Sequence, residues 1–335
     1  MSGTFLIAAG GTGGHVQPAL AVARELQRLQ PEVRLHFVGG RRGIEGELVP
    51  AAGFALTRLP SAGLRGLGLP GVLRFAVNFT AAFFLALPLA LRLRPDVVLA
   101  TGGYASAAPA LAARLTGVPL WLQEQNSVPG STNRALSRFA ERAWVAFAEA
   151  KSALARARRV EVAPNPVRRE ILEARGRRPS AADYAAFGLR EGRRTLLVFG
   201  GSRGATTLNR ALAQAWPEVA RRTSWQVLAQ TGAADHAALS AALEGVEGVS
   251  VHPYLEDMAA AYAVADLVVC RAGALTLAEL AAVAKPAVLV PFPHATDDHQ
   301  TRNAAYLVEA GAAELLPQSV LTPERLAESR DLIFA

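Results

Sequence analysis

The 335-residue chain is 51% hydrophobic and 19% charged, a balance that excludes a largely disordered protein and supplies core for two ordinary domains. Its formal net charge of +7 favours an anionic partner, whether a phosphorylated substrate, anionic lipid or nucleic acid. No nucleic-acid module signature and no basic stripe interleaved with aromatics is present, which sets nucleic acid aside. The single cysteine, Cys270, excludes an internal disulfide and reads as a small buried hydrophobe. MSGTFLIAAGG at the N-terminus lacks a basic region and its apolar run is too short for a signal peptide, so a cytoplasmic chain is expected.

The first strand, in TFLIAAG, runs into GGTGGHVQP and a helix expected over 18–29. This stretch fits neither common phosphate-loop pattern: it has no lysine for G-x-x-x-x-G-K-[ST], and a G-x-G-x-x-G register from Gly11 ends on Val16. A second strand follows in VRLHFVGG. Residues 75–91, FAVNFTAAFFLALPLAL, carry no charge and are flanked by Arg65, Arg74, Arg92 and Arg94. The run is shorter than the ~20 residues of a spanning helix, which leaves two readings open: a buried core helix, or an interfacial patch seated on anionic lipid. DVVLATGG, a helix over Ala107–Leu115 and VPLWLQEQ continue the alternation.

Polar, proline-rich VAPNPVRRE (162–170) interrupts this pattern, which then restarts. TLLVFGG, a helix from Thr207, SWQVLAQTG, VSVHPYL, a helix over 256–264, DLVVCRAG, a helix from Leu275, PAVLVPF and a helix over 299–310 follow in order. Apolar strands alternating with helices predict parallel sheets covered on both faces. The expected fold is therefore α/β, two doubly wound Rossmann-like domains over 1–164 and 165–335, with ligands at the carboxyl ends of the strands in a cleft between them.

Three times a strand ends in glycines and a helix follows: AAGGTGGHVQP (8–18), ATGGYASAAPA (100–110) and VFGGSRGATTLN (198–209). Such loops let backbone approach a ligand, and the helix-start amides attract anions, so three of them point to a grip on phosphate. HATDDHQ (294–300) offers histidines and aspartates, but at no strong metal spacing, and reads as a polar loop capping the next helix.

As an ordered set, GGTGGH (10–15), GGYAS (102–106), QEQN (123–126), NPVR (165–168), GGSRGA (200–205) and CRAGALTLAEL (270–280) resemble the MurG family. Its members are bacterial transferases that move N-acetylglucosamine from UDP-N-acetylglucosamine to lipid I, undecaprenyl-pyrophosphoryl-muramyl-pentapeptide, making lipid II. The resemblance covers about residues 4–316 and implies an inverting GT-B glycosyltransferase of family 28. The first domain would take the lipid acceptor and dock at the anionic cytoplasmic face of the plasma membrane as a peripheral protein; the second would hold the nucleotide sugar. No organic cofactor is implied, and a divalent cation requirement stays open.

Carried over by position, Thr12, Gly13 and Gly14 would lie beside the transferred sugar and the diphosphate, and Asn126 would face the sugar. Arg168 and Ser202 would contact the nucleotide, and Leu255 would meet the uracil through its backbone. Ala274, Leu275, Thr276, Leu277, Ala278 and Glu279 would cradle phosphates and ribose, with Gln300 reading hydroxyls of the N-acetylglucosamine.

The chemistry needs a base near neutrality, and histidine has the closest free pKa. His15 closes the first glycine loop at a helix start, a position that disfavours the imidazolium and keeps the ring able to accept a proton. Glu124 is a second candidate. The family often has HEQN where this chain has QEQN, so Gln123 takes no proton role. Arg203 stands where glutamine is more usual, and the chain stops soon after residue 316, where such proteins usually add a helix that packs back on the first domain. A UDP-N-acetylglucosamine 2-epimerase or another GT-B lipid glycosyltransferase is the alternative enzyme, and a recruited binding subunit without chemistry the alternative outside enzymes; the apolar segment favours a lipid acceptor.

Overall fold

The computed structural model describes residues 3–63, 68–201 and 204–332, and the chain divides into two compact units, Met1–Pro166 and Val167–Ala335. In the first, seven strands form one sheet: β1 (Thr4–Ala9), β2 (Arg34–Gly40), β3 (Ala55–Leu59), β4 (Val97–Gly102), β5 (Leu120–Glu124), β6 (Arg142–Val145) and β7 (Arg159–Val162). All pair in parallel, in the order β3-β2-β1-β4-β5-β6-β7. Helices α1 (Gly13–Leu29), α2 (Glu45–Ala51), α3 (Leu69–Leu93), α4 (Ala107–Leu115), α5 (Ser131–Leu136) and α6 (Ala150–Ala153) connect them.

The second unit repeats the winding with β8 (Thr195–Phe199), β9 (Gln226–Gln230), β10 (Val249–His252), β11 (Leu267–Cys270), β12 (Ala287–Leu289) and β13 (Ala313–Leu315), ordered β10-β9-β8-β11-β12-β13. Its helices are α7 (Arg169–Glu173), α8 (Ala181–Ala186), α9 (Thr206–Arg222), α10 (His236–Ala242), α11 (Met258–Val264), α12 (Ala274–Val283), α13 (His299–Glu309) and α14 (Pro323–Leu332). Alternate residues of each central strand enter opposite cores: Leu6 and Ala8 pack on one face and Ile7 and Ala9 on the other, as do Leu197 and Phe199 against Leu196 and Val198. That two-sided burial is why these strands are apolar throughout. Winding reverses beside β1 and β4 in the first sheet and beside β8 and β11 in the second. At such switch points the loops splay apart and leave a crevice. The three glycine loops, and a fourth loop ahead of α12, start there.

Two expectations change. The helix after the first glycine loop begins at Gly13, five residues early, with Pro18 inside it. The charge-free segment is part of a longer helix, α3, of 25 residues. By length and composition, Pro70–Leu93 could cross a membrane. Yet Ala82, Ala86 and Ala90, spaced one turn apart, are 1–3% exposed in the first core, while Leu73, Val77, Phe84 and Leu91 are 57–67% exposed. The helix is therefore core along a small-residue stripe, and its opposite face is bare.

Candidate active site

In the first unit, α1 starts straight after the β1 loop with Thr12 as its N-cap residue in extended conformation. Glycines 13 and 14 occupy its first turn, where glycine costs about 1 kcal/mol relative to alanine. Packing does not demand them. A Cβ on Gly13 would meet nothing within 4 Å, and one on Gly14 only Thr12 Oγ1 at 3.8 Å. By contrast, a Cβ on Gly103 of the second loop would strike the Gly10 carbonyl at 2.1 Å, because the β1 and β4 loops lie against each other. At this open start the Gly13 and Gly14 amides have no helical carbonyl to bond, which suits an anion.

His15, half-buried, stands at this start. Its Nδ1 is 3.0 Å from Thr12 Oγ1, and Thr101 Oγ1 donates to its carbonyl at 2.8 Å. Its ring packs on the glycines of the β4 loop: a Cβ on Gly102 would lie 2.9 Å from Cδ2. Any larger residue there would displace the imidazole.

Glu124, at the end of β5, is 2% exposed and engaged on both oxygens. Oε1 accepts from the Asn126 backbone and side-chain amides at 3.0 and 3.4 Å; Oε2 accepts from Gly130 N–H at 3.1 Å and Asn133 Nδ2 at 2.9 Å. Burial pushes its carboxyl above the usual range, and these four donors oppose that shift. With four donors on four lone-pair positions, the arrangement argues against Glu124 as a proton acceptor and for a group that fixes Asn126 and Asn133. Gln123 donates to Asn165 Oδ1 at 2.8 Å and is structural.

In the second unit, Arg168, Glu279 and Tyr262 converge. Arg168 Nη2 lies 3.5 Å from Glu279 Oε1, and the Tyr262 hydroxyl donates to Oε2 at 3.0 Å. Burial raises the Glu279 carboxyl, with Arg168 and Tyr262 opposing, and pushes the Tyr262 phenol well up. Glu279 stands in the second turn of α12, whose N-cap is Gly273. Leu275 and Thr276, in the first turn, have no helical carbonyl to bond.

Not every expected contact survives. Leu277 donates its N–H to the Gly273 carbonyl at 3.0 Å and buries its side chain, so it is core rather than cradle. Ala278 lies past the first turn of α12, partly exposed. The Leu255 N–H is bonded to Gln230 Oε1 at 3.0 Å, so of its backbone polar groups this bond leaves the carbonyl. Gln230 also donates to the Gly201 carbonyl at 2.9 Å, tying the third glycine loop to Leu255. Gln300 accepts the Phe292 N–H at 2.8 Å through Oε1. Ser202 and Arg203 lie outside the described residues. Aspartates 297 and 298 form a left-handed turn before α13, and among the described residues no cluster of three or more His, Cys, Asp or Glu could hold a metal ion. Sequence reading missed Glu45, Asn133, Gln230, Tyr262 and buried Arg271, which donates to the Val290 and Pro291 carbonyls.

Two doubly wound units with glycine loops at their switch points are the GT-B glycosyltransferase arrangement. Residues 5–145 match the glycosyltransferase family 28 N-terminal domain and 195–334 its C-terminal domain. The chain belongs to glycosyltransferase family 28. It is 48% identical over 326 residues to the UDP-N-acetylglucosamine--N-acetylmuramyl-(pentapeptide) pyrophosphoryl-undecaprenol N-acetylglucosamine transferase of Chromohalobacter salexigens, covering 97% of this chain and 86% of that one. The crystal structure of Acinetobacter baumannii MurG superposes with a TM-score of 0.72 at 32% identity, covering 99% and 91% of the two chains. UDP-GlcNAc 2-epimerase from Neisseria meningitidis, at 14% identity, TM-score 0.69 and coverage of 100% and 91%, shares the fold alone.

Proposed function

We infer that the protein transfers N-acetylglucosamine from UDP-N-acetylglucosamine to the C4 hydroxyl of the muramyl sugar of lipid I, giving lipid II. The observation that carries this is the 48% identity to such a transferase across 97% of the chain. The acceptor oxygen bonds to the anomeric carbon from the face opposite UDP, the bond from that carbon to the diphosphate breaks, and the hydroxyl proton leaves to a base. His15 is that base. In the tautomer that donates Nδ1–H to Thr12 Oγ1, 3.0 Å away, Nε2 carries the lone pair that accepts the proton.

The second unit holds the donor. Glu279 accepts from the ribose hydroxyls, Arg168 contacts the nucleotide, and the α12 start, at Ala274, Leu275 and Thr276, takes the diphosphate. Leu255 meets the uracil through its carbonyl, and the Gln300 amide reads sugar hydroxyls. Thr12, Gly13 and Gly14 serve the reacting sugar and the diphosphate from the first unit, with Asn126 held by Glu124.

The bare face of α3, flanked by Arg74, Arg92 and Arg94, seats the first unit on an anionic membrane surface. Its alanine stripe belongs to the core, so the helix lies on the bilayer and does not span it. Changing the three arginines to glutamate lowers sedimentation with anionic vesicles; unaltered sedimentation would refute docking by this face. For the reaction, labelled UDP-N-acetylglucosamine places label in the lipid phase only when lipid I is present. Conversion of the nucleotide sugar without lipid would favour the epimerase, and label confined to water with lipid I present would overturn the transferase.

A further inference from the structure

Glu45 is fully buried within the charged stretch RRGIEGELVP. It opens α2, and its carboxylate joins two loops. Oε1 accepts the Gly40 N–H at 2.6 Å and Oε2 accepts the Gly11 N–H at 2.9 Å. Glycines make its room: a Cβ on Gly10 would approach Oε1 to 2.4 Å, one on Gly39 would approach Cγ to 2.6 Å, and one on Gly43 would approach Oε2 to 1.9 Å. A charge taken out of water is costly unless hydrogen bonds replace the water, and here two backbone donors do so.

Gly11, at φ +92°, precedes the N-cap Thr12, and on another side it meets the Tyr104 ring, which a Cβ would approach to 3.1 Å. The first glycine loop is therefore pinned between a carboxylate and an aromatic ring, one residue before the hydroxyl that orients His15. We propose that Glu45 is the positioning residue of this loop: by clamping Gly11 to Gly40 it sets where Thr12 and the His15 ring stand. The proposal rests on His15 as the base of the inferred transfer. Two backbone donors need two acceptor oxygens, so glutamine at this position sets an NH2 group against one of the N–H groups.

The test uses the full chain and two variants. Glu45→Gln breaks one clamp bond; Gly43→Ala, at a position without positive φ, crowds the carboxylate from outside. In both, kcat with lipid I falls about 100-fold, as a displacement near 1 Å would produce, while KM for UDP-N-acetylglucosamine stays within about twofold. The His15 Cε1–H resonance, assigned with His15→Ala, moves in both variants. Unchanged kcat with an unmoved His15 resonance in either folded variant overturns the proposal, even where thermal stability drops. Should wild type fail to transfer to lipid I, the functional reading fails, and the His15 resonance alone decides the role of Glu45. Should Glu45→Gln not fold, Gly43→Ala decides it.

Discussion

At Glu279, burial and recognition pull in opposite directions. A side chain 19% exposed disfavours the charge that the proposed ribose contact requires, and Arg168 and Tyr262 only partly restore it. Since burial raises its pKa, the carboxylate protonates on acidification before an ordinary glutamate does. Affinity for UDP-N-acetylglucosamine, whose diphosphate does not titrate in this range, is therefore full above that raised pKa and falls as pH drops through it. Calorimetry at pH 7.5 and at successively lower pH detects the loss in wild type. Glu279→Gln binds about 10-fold more weakly at pH 7.5, one charge-assisted bond, with the pH dependence flattened. Equal affinity would remove Glu279 from the ribose site. Arg168 and Glu279 were named through the family resemblance, with an NPV turn beside the first and a helix start beside the second. Tyr262 and Glu45 were not: an aromatic in AYAVA and an acid between charged neighbours look ordinary, and only tertiary burial reveals what they touch.

Helix α3 separates core from surface within one element. Ala86→Leu puts volume into a 1%-exposed contact and costs about 1–3 kcal/mol of stability. Phe84→Asp, on the 63%-exposed side, leaves the unfolding midpoint nearly unchanged and weakens vesicle binding. Equal effects of the two changes would refute the assignment of faces. The short helix α8 is held by a capping box between Ser180 and Asp183, with Arg177 on the same carboxylate. Backbone hydrogen bonding from Ser180, then Arg177, lowers the Asp183 pKa to about 2. A depressed pKa adds stability that is present above the unfolded value of 3.8 and lost as pH falls towards 2. Asp183→Asn is less stable at pH 7 and shows a shallower acid limb between those values, read by denaturant titration. Among elements, long periodic helices and apolar central strands were legible. Strands β3, β6, β7 and β13 were not, being three to five residues long, several with charges such as Arg142, Arg159 and Glu161. The start of α1 was missed because Gly13 and Gly14 read as loop although the helix begins at Gly13.

Over the whole chain, the twofold alternation of strand and helix carried the architecture. The same winding order occurs in both sheets, and the glycine loops mark the reversal in each. On the proposed reading, labour divides along that repetition: the first unit supplies the base and the second the donor site. His15→Ala tests this most directly, with UDP-N-acetylglucosamine binding measured by calorimetry and transfer to lipid I measured by label. The account predicts an unchanged Kd and a kcat lower by at least about 100-fold, the contribution of a general base; a kcat near that of wild type would contradict it.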